Sequence, residues 1–377
     1  MHARINFREF ALVAALLAIG LFFTLRVPDF GFIAARNLSL LMIDFAITAT
    51  LAVGMLLVIL PGHIDLSAGS GVGLIGGIAA VLGTNHAWPA PLAMAAGVAS
   101  ALILWFAMGT LIVRQRIPAF IITLGGLLVF KGMFWLVIQN HTVPVVTGGQ
   151  ENLFSMLTTY YLSPGVGWIV AGGVVSVLVF ARLRAQAKRR AHGLPAEDGE
   201  LSFLTIFVAA QLIGLFVLVT NQFRGVPLPV LILGAVALVV WVLTQHTAFG
   251  RYLYAIGGNE EAALISGIPV QRVTIGAFTI MGVVVAITGL MQTAYAGAST
   301  TTIGDLMELD AVAACVIGGV SLKGGRGSVL GVLVGALIMA CLINGMTLLA
   351  VAPEQKFIAR GIVLILAVWM DVRMSRS

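Results

Sequence analysis

Five ionisable side chains interrupt otherwise apolar sequence: Asp44, Asp65, Lys131, Glu308 and Asp310. Each would cost roughly 2.5–3.5 kcal/mol at the centre of a lipid-facing helix. Such groups therefore face a cavity or a partner. A proton or sodium relay needs acids near the middle of the bilayer, and these acids cluster towards the ends of apolar segments. That weighs against ion-coupled transport. His63 precedes Asp65 by two, but no further His, Cys or acid completes a metal site. No Ser/His/Asp or Cys/His set stands out for nucleophilic catalysis. Cys315 and Cys341 fall inside apolar segments and are expected as small buried hydrophobes. The sequence thus implies no catalytic residues, no metal and no cofactor. Asp65, Ser67, Asp310 and Asn344 are the candidates to line a substrate path. For each, a cap or an interhelical hydrogen bond is the more common role.

Two glycine-rich motifs invite a nucleotide-site reading and fail it. Gly71-Val72-Gly73-Leu74-Ile75-Gly76 fits GxGxxG, but it lies in an apolar segment with no βαβ unit around it. With Gly69 and Gly77, these glycines make a small-residue face for close helix packing. Lys323-Gly324-Gly325-Arg326-Gly327-Ser328 lacks the GxxxxGK[ST] order and is expected as a tight turn between spans.

The elements that carry these residues follow from composition. The chain has 377 residues, 60% hydrophobic and 10% charged, with a mean hydropathy of +1.06. A soluble domain carries about 25% charge. One all-α polytopic membrane domain over 1–377 is implied. The net charge of +6 does not signal nucleic acid, because the basic residues flank apolar spans. About twelve apolar segments are expected. They are Phe10–Leu25, Ile43–Leu60, Ala68–Leu82, Pro89–Val113, Ala119–Ile138, Gly165–Ala181, Leu201–Thr220, Pro227–Thr244, Val273–Ala294, Ala311–Val320, Val329–Leu349 and Phe357–Met370.

Charge tests this count. If all twelve cross and both termini are cytosolic, the cytosolic side holds Arg4, Arg8, Arg114, Arg116, the Arg182–Arg190 run, Arg251, Arg272, Lys323, Arg326, Arg373 and Arg376. The other side holds only Arg26, Arg36, Arg224, Lys356 and Arg360. That bias satisfies the positive-inside rule. The Arg182–Arg190 run is expected in a polar loop ending in Glu197, Asp198 and Glu200, as a topology anchor.

Ala68–Leu82 and Ala311–Val320 are too short to cross as ordinary helices. At 1.5 Å per residue they reach about 22 and 15 Å, against a core of about 30 Å. The charge bias favours broken helices completed by extended backbone. Each has an acid at its mouth, and Asp65, Ser67 or Asp310 is expected to cap the half-helix that follows.

The one long polar insert in the C-terminal half is the loop 245–272. Asn259 is expected to cap a helix whose first turn carries Glu260 and Glu261. Ala262, Ala263, Leu264 and Ile265 continue it, Gly267 suits a left-handed cap, and Pro269 stops it. A helix of about two turns is marginal alone, so a partner protein is expected to hold it.

Glu261-Ala262-Ala263, followed after three residues by Gly267, resembles the EAA…G signature of ATP-binding-cassette importer permeases. Phe249-Gly250-Arg251, Ala255 to Asn259 and Ser266-Gly267-Ile268 resemble the branch that imports monosaccharides, including ribose, xylose and galactose. Ala52-Val53-Gly54-Met55, Ile64-Asp65-Leu66-Ser67, Pro118 to Leu124 and Leu309 to Gly319 extend the resemblance along nearly the whole chain. Length and the tail Leu366-Ala367-Val368-Trp369-Met370-Asp371 are most similar to the xylose members. The resemblance implies the channel subunit of an ATP-driven sugar importer, multi-pass in a bacterial inner membrane and working as a homodimer with a second copy of itself. The implied partners are an ATP-binding-cassette ATPase, a periplasmic sugar-binding protein and membrane lipid, with no nucleic acid. Gly257, Gly258, Asn259, Glu260, Glu261, Ala262, Ala263 and Gly267 would form the cytosolic coupling loop. Residues 165–220 would be a two-span insertion relative to shorter members. Two alternatives are an ion-coupled secondary sugar transporter and a membrane interaction protein that moves no solute.

Overall fold

The structure is a computed structural model that describes residues 7–146, 149, 151–192 and 199–374. Arg4, Glu197, Asp198 and Arg376, named above, lie outside the described residues. The chain is a bundle of helices. In order they are α1 (Phe7–Arg26), α2 (Ala35–Ile59), α3 (Ala68–Thr84), α4 (Ala90–Gln115), α5 (Ala119–Ile138) and the short α6 (Leu153–Thr159). Next come α7 (Pro164–Ala191), α8 (Gly199–Asn221), α9 (Leu228–His246), α10 (Ala248–Gly258), α11 (Glu260–Ile265) and α12 (Val270–Ala296). The last three are α13 (Met307–Ile317), α14 (Val329–Leu348) and α15 (Pro353–Met374). Among the described residues eight helices are long and apolar enough to cross a membrane: α2, α4, α5, α7, α8, α9, α12 and α14. The expected all-α, polytopic class holds.

Helix limits differ from expectation where polar residues are satisfied by tertiary contacts. α2 starts at Ala35 rather than Ile43, because Asn37 finds partners in the bundle: its amide donates to Phe32 O (2.8 Å) and pairs with Asn344 (3.0 and 3.1 Å). The Arg182–Arg190 run is not a loop but the last turns of α7. Arg, Ala, Lys and Gln are strong helix formers. α13 starts at Met307, so Glu308 and Asp310 sit within its first turn, where the helix dipole favours acids. Asp310 therefore does not cap it.

α2, α3, α4, α12, α13 and the inner face of α14 form the core. Leu51 to Leu60 of α2 is buried throughout. The glycine face of α3 packs as the small-residue reading expects. A Cβ on Gly71 would lie 2.2 Å from the Trp105 ring, and one on Gly77 2.8 Å from Phe134. α3 and α13 also meet close to their starts, where a Cβ on Gly304 would lie 2.0 Å from Gly69 O. α7 and α8 pack on each other through Ala171 and Val217, joined by Leu162 and Val226 from the flanking segments, and expose most of the rest of their apolar length.

The bundle has two ends. One gathers the α2–α3 break, the α4–α5 turn, α10, α11 and the loop 318–328, with Gly325 N–H donating to Leu60 O (2.9 Å). The other gathers two pairs of two-residue strands, β1 (Val143–Pro144) with β4 (Ala298–Ser299), and β2 (Tyr161–Leu162) with β3 (Val226–Pro227). Near this second end Lys131 of α5 pairs with Asp305 and donates to Thr301 O (2.8 Å). Its charge is thus balanced inside the bundle.

Candidate functional site

The α11 end is built in three steps. α10, absent from the sequence expectation, is capped by Thr247, whose hydroxyl accepts from Gly250 N–H (3.2 Å). It buries Leu253 and Ile256 in the core. Asn259 ends α10 and caps α11, its side-chain oxygen accepting from Ala262 N–H (2.9 Å). α11 carries Glu260 and Glu261 in its first turn and is closed by Gly267 at φ +81°, a left-handed conformation that favours glycine. Gly267 N–H donates to Leu264 O (3.0 Å) and Ile268 N–H to Ala263 O (3.1 Å). The cap, the length and the stop thus stand where Asn259, Gly267 and Pro269 imply.

α11 touches the body through Ala263, which is buried, while Gly258, Asn259, Glu260, Glu261, Ala262 and Gly267 are exposed. Its outer face presents Leu264 at 63% and Ile265 at 82% exposure. Both side chains stand open on a helix of only six residues.

Gly257 fixes the whole unit to the bundle. A Cβ there would lie 1.9 Å from Leu60 O and 2.3 Å from Gly325 N. Three backbone segments meet at this point. Gly324 and Gly325 have φ of +89° and +73°, so the Lys323–Ser328 turn is shaped to receive α10. Tyr254 adds a bond from its hydroxyl to Gly327 O (2.8 Å). The role of Leu60, Gly324 and Gly325 was missed in the sequence. The turn itself was visible, but its contact with a residue more than sixty positions away was not. Beneath α11 lies a cleft of about 650 Å³, with His63, Arg116, Glu260 and Leu264 in its walls.

The structure divides the four substrate-path candidates into two pairs. Asp65 and Ser67 are fully buried at the entry to α3. Asp65 Oδ1 accepts from Ser67 N–H (2.9 Å) and from the Ser67 hydroxyl (2.6 Å), and Oδ2 accepts from the indole N–H of Trp105 (2.7 Å). Ser67 stands at the N-cap position of α3 without a side-chain cap bond, so neither residue caps the helix as expected, and Asp65 instead holds the turn before it. Neither residue lines the α11 cleft or the cleft at the opposite end. Asp310 and Asn344 do line that second cleft, of about 330 Å³. There Arg360 of α15 pairs with Asp310 (3.3 Å), and Asn344 makes its double bond to Asn37. Asp44, Thr48 and Gln292 complete a polar wall. Arg360 was read in the sequence as an outer-loop cation; its pairing across two helices carried no local signal.

Among the described residues no three His, Cys, Asp or Glu side chains are placed to hold a metal. Cys315 and Cys341 are free and buried, and the Cys315 thiol donates to Ala52 O (3.2 Å).

The family model described as branched-chain amino acid transport system / permease component matches residues 37–368. The chain belongs to this permease family. The permease is 40% identical to the xylose transport system permease protein XylH of Escherichia coli K12, over 97% of its own length and 92% of that relative's. It is 38% identical to XylH of Haemophilus influenzae, over 97% and 96%. It is 33% identical to the ribose import permease protein RbsC of Escherichia coli K12, over 96% and 92%. No solved structure matches it. These relatives are named as permeases rather than enzymes. The permease is a multi-pass inner-membrane protein, with a buried apolar core and a cleft at each end of the bundle.

Proposed function

We propose that this permease is the transmembrane channel subunit of an ATP-driven sugar importer, with D-xylose or a related monosaccharide as substrate. The observation that carries the reading is α11. It is a capped helix clamped by buried backbone yet exposing Leu264 and Ile265, in a chain 40% identical to a xylose permease. In this reading α11 and residues Gly257 to Gly267 are the coupling loop, and an ATP-binding-cassette ATPase docks there. The positive-inside bias puts that end, and both termini, in the cytosol. All twelve segments cross, α3 and α13 as broken helices. A periplasmic binding protein delivers sugar to the opposite end, and a second copy of the chain completes the channel. The α7–α8 hairpin is a two-span addition whose open apolar faces meet lipid.

Uptake of labelled D-xylose into proteoliposomes tests this. With the ATPase, the binding protein and ATP, the permease accumulates xylose. Accumulation driven by an ion gradient without ATP would refute the reading in favour of a secondary transporter. Absence of uptake under every condition would leave an interaction protein instead. The docking part has its own variant. Glu261→Lys with Gly267→Val reverses charge in the first turn of α11 and forces a β-branched residue into a left-handed backbone. It weakens ATPase co-purification by about tenfold or more, since strained substitutions of this kind cost roughly 1–3 kcal/mol. Undiminished association would sink the docking assignment.

A further inference from the structure

The cleft opposite α11 has no role from sequence beyond Asp310 and Asn344, yet its chemistry is specific. At about 330 Å³ it falls at the lower end of the roughly 300–1,000 Å³ typical of small-molecule sites. Its walls come from α2, α12, α13, α14 and α15. Asp44 lies nine residues into α2, about 14 Å along the helix, and Arg360 seven residues into α15, about 10 Å. The cleft is therefore not a shallow surface dent but reaches well into the bundle. Polar groups at such depth persist where they line a cavity.

Two charge pairs lie at this cleft. Arg360 balances Asp310, and Lys131 balances Asp305. Asp44 has the phenol of Tyr295 as hydrogen-bond partner. Besides Asp44, which has no cationic partner, two neutral side chains are left over. The side chains of Thr48 and Gln292 face the cleft and hydrogen-bond to no other group among the described residues. An anionic solute would be repelled by the surplus of carboxylates, Asp44, Asp305 and Asp310. An uncharged polyol would not: carboxylates accept from its hydroxyls, Arg360 donates, and Gln292 does both. Leaving Thr48 and Gln292 unpaired costs little while the cleft is wet, and they are free to exchange water for sugar hydroxyls.

We infer that this cleft is a sugar-binding station of the permease itself, selecting a neutral pentose through Thr48, Gln292, Asp44 and the Asp310–Arg360 pair. The inference rests on the importer reading above and adds to it that selectivity is shared by the membrane subunit.

The test uses the complete reconstituted transporter. Gln292→Leu and Thr48→Val are the informative variants, because neither removes a bond the protein makes to itself. Uptake of labelled D-xylose falls about tenfold in Gln292→Leu, the scale of one to two lost hydrogen bonds. The xylose-to-ribose uptake ratio shifts, and the melting temperature of the purified permease stays at the wild-type value. Unchanged uptake and an unchanged ratio in both variants would overturn the station. So would a fall that tracks a lower melting temperature with the ratio constant, since that gives these side chains a packing role. Failure of the wild type to take up xylose with ATP strikes the importer reading instead, which keeps the two failures apart.

Discussion

Gly257→Ala collapses the junction between the α10–α11 unit and the bundle, whereas Gly258→Ala next to it leaves stability unchanged. The two glycines are adjacent in sequence and opposite in setting. A Cβ on Gly257 would enter within 1.9 Å of Leu60 O and 2.3 Å of Gly325 N, whereas one on Gly258 would meet nothing within 4 Å. The atoms in the way at Gly257 are backbone, so no rotamer change relieves them. α10 must lift off, and the Gly325-to-Leu60 bond of 2.9 Å and the Tyr254 bond to Gly327 go with it. Overpacking of this kind costs about 1–3 kcal/mol, and Gly258→Ala stays within about 0.5 kcal/mol. The expected result is a lowered melting temperature for the first variant only. In the reconstituted transporter Gly257→Ala also loses xylose uptake, because α11 is carried on α10 and is displaced with it. Equal melting temperatures for the two variants would refute the clamp.

This pair shows how far the sequence could be read. α11 was legible to the residue, because caps and stops are local: Asn259, Gly267 and Pro269 act on their own neighbours. α10 was not, because Gly250, Gly257 and Gly258 look like loop. Its helix exists because Leu253 and Ile256 have a core to enter. The same distinction runs through the bundle. The short helices α3 and α13 were visible as apolar runs too short to cross. The true starts of α2 and α13 were hidden, since Asn37 and Asp310 look like loop residues until Asn344 and Arg360 are placed beside them. Periodicity and capping report on a few residues at a time. The cleft of Asp44, Gln292, Asp310 and Arg360 draws on four helices, and only the fold assembles it.

Trp105→Ala is the most damaging single core substitution expected here. The indole is fully buried, sits against Gly71 and Gly282, and lies tilted against the Phe130 ring with centroids 5.2 Å apart. Removing it opens a cavity worth roughly 3–5 kcal/mol and also strips Asp65 Oδ2 of its 2.7 Å donor. Trp105→Phe separates the two effects. It keeps most of the volume and loses the N–H, so it costs about 1–3 kcal/mol, the penalty for leaving a buried acceptor unsatisfied. If Asp65 anchors the entry to α3, Asp65→Asn and Trp105→Phe are coupled: the double variant loses less stability than the sum of the singles. Xylose uptake then falls only in proportion to the folded fraction. Asp65 as a substrate contact makes the opposite prediction, a changed xylose-to-ribose ratio at an unchanged melting temperature. The three hydrogen bonds that hold its carboxylate leave it little capacity for a fourth partner, and full burial closes the approach. Asp65 then belongs to the joint that lets a helix start inside the bundle.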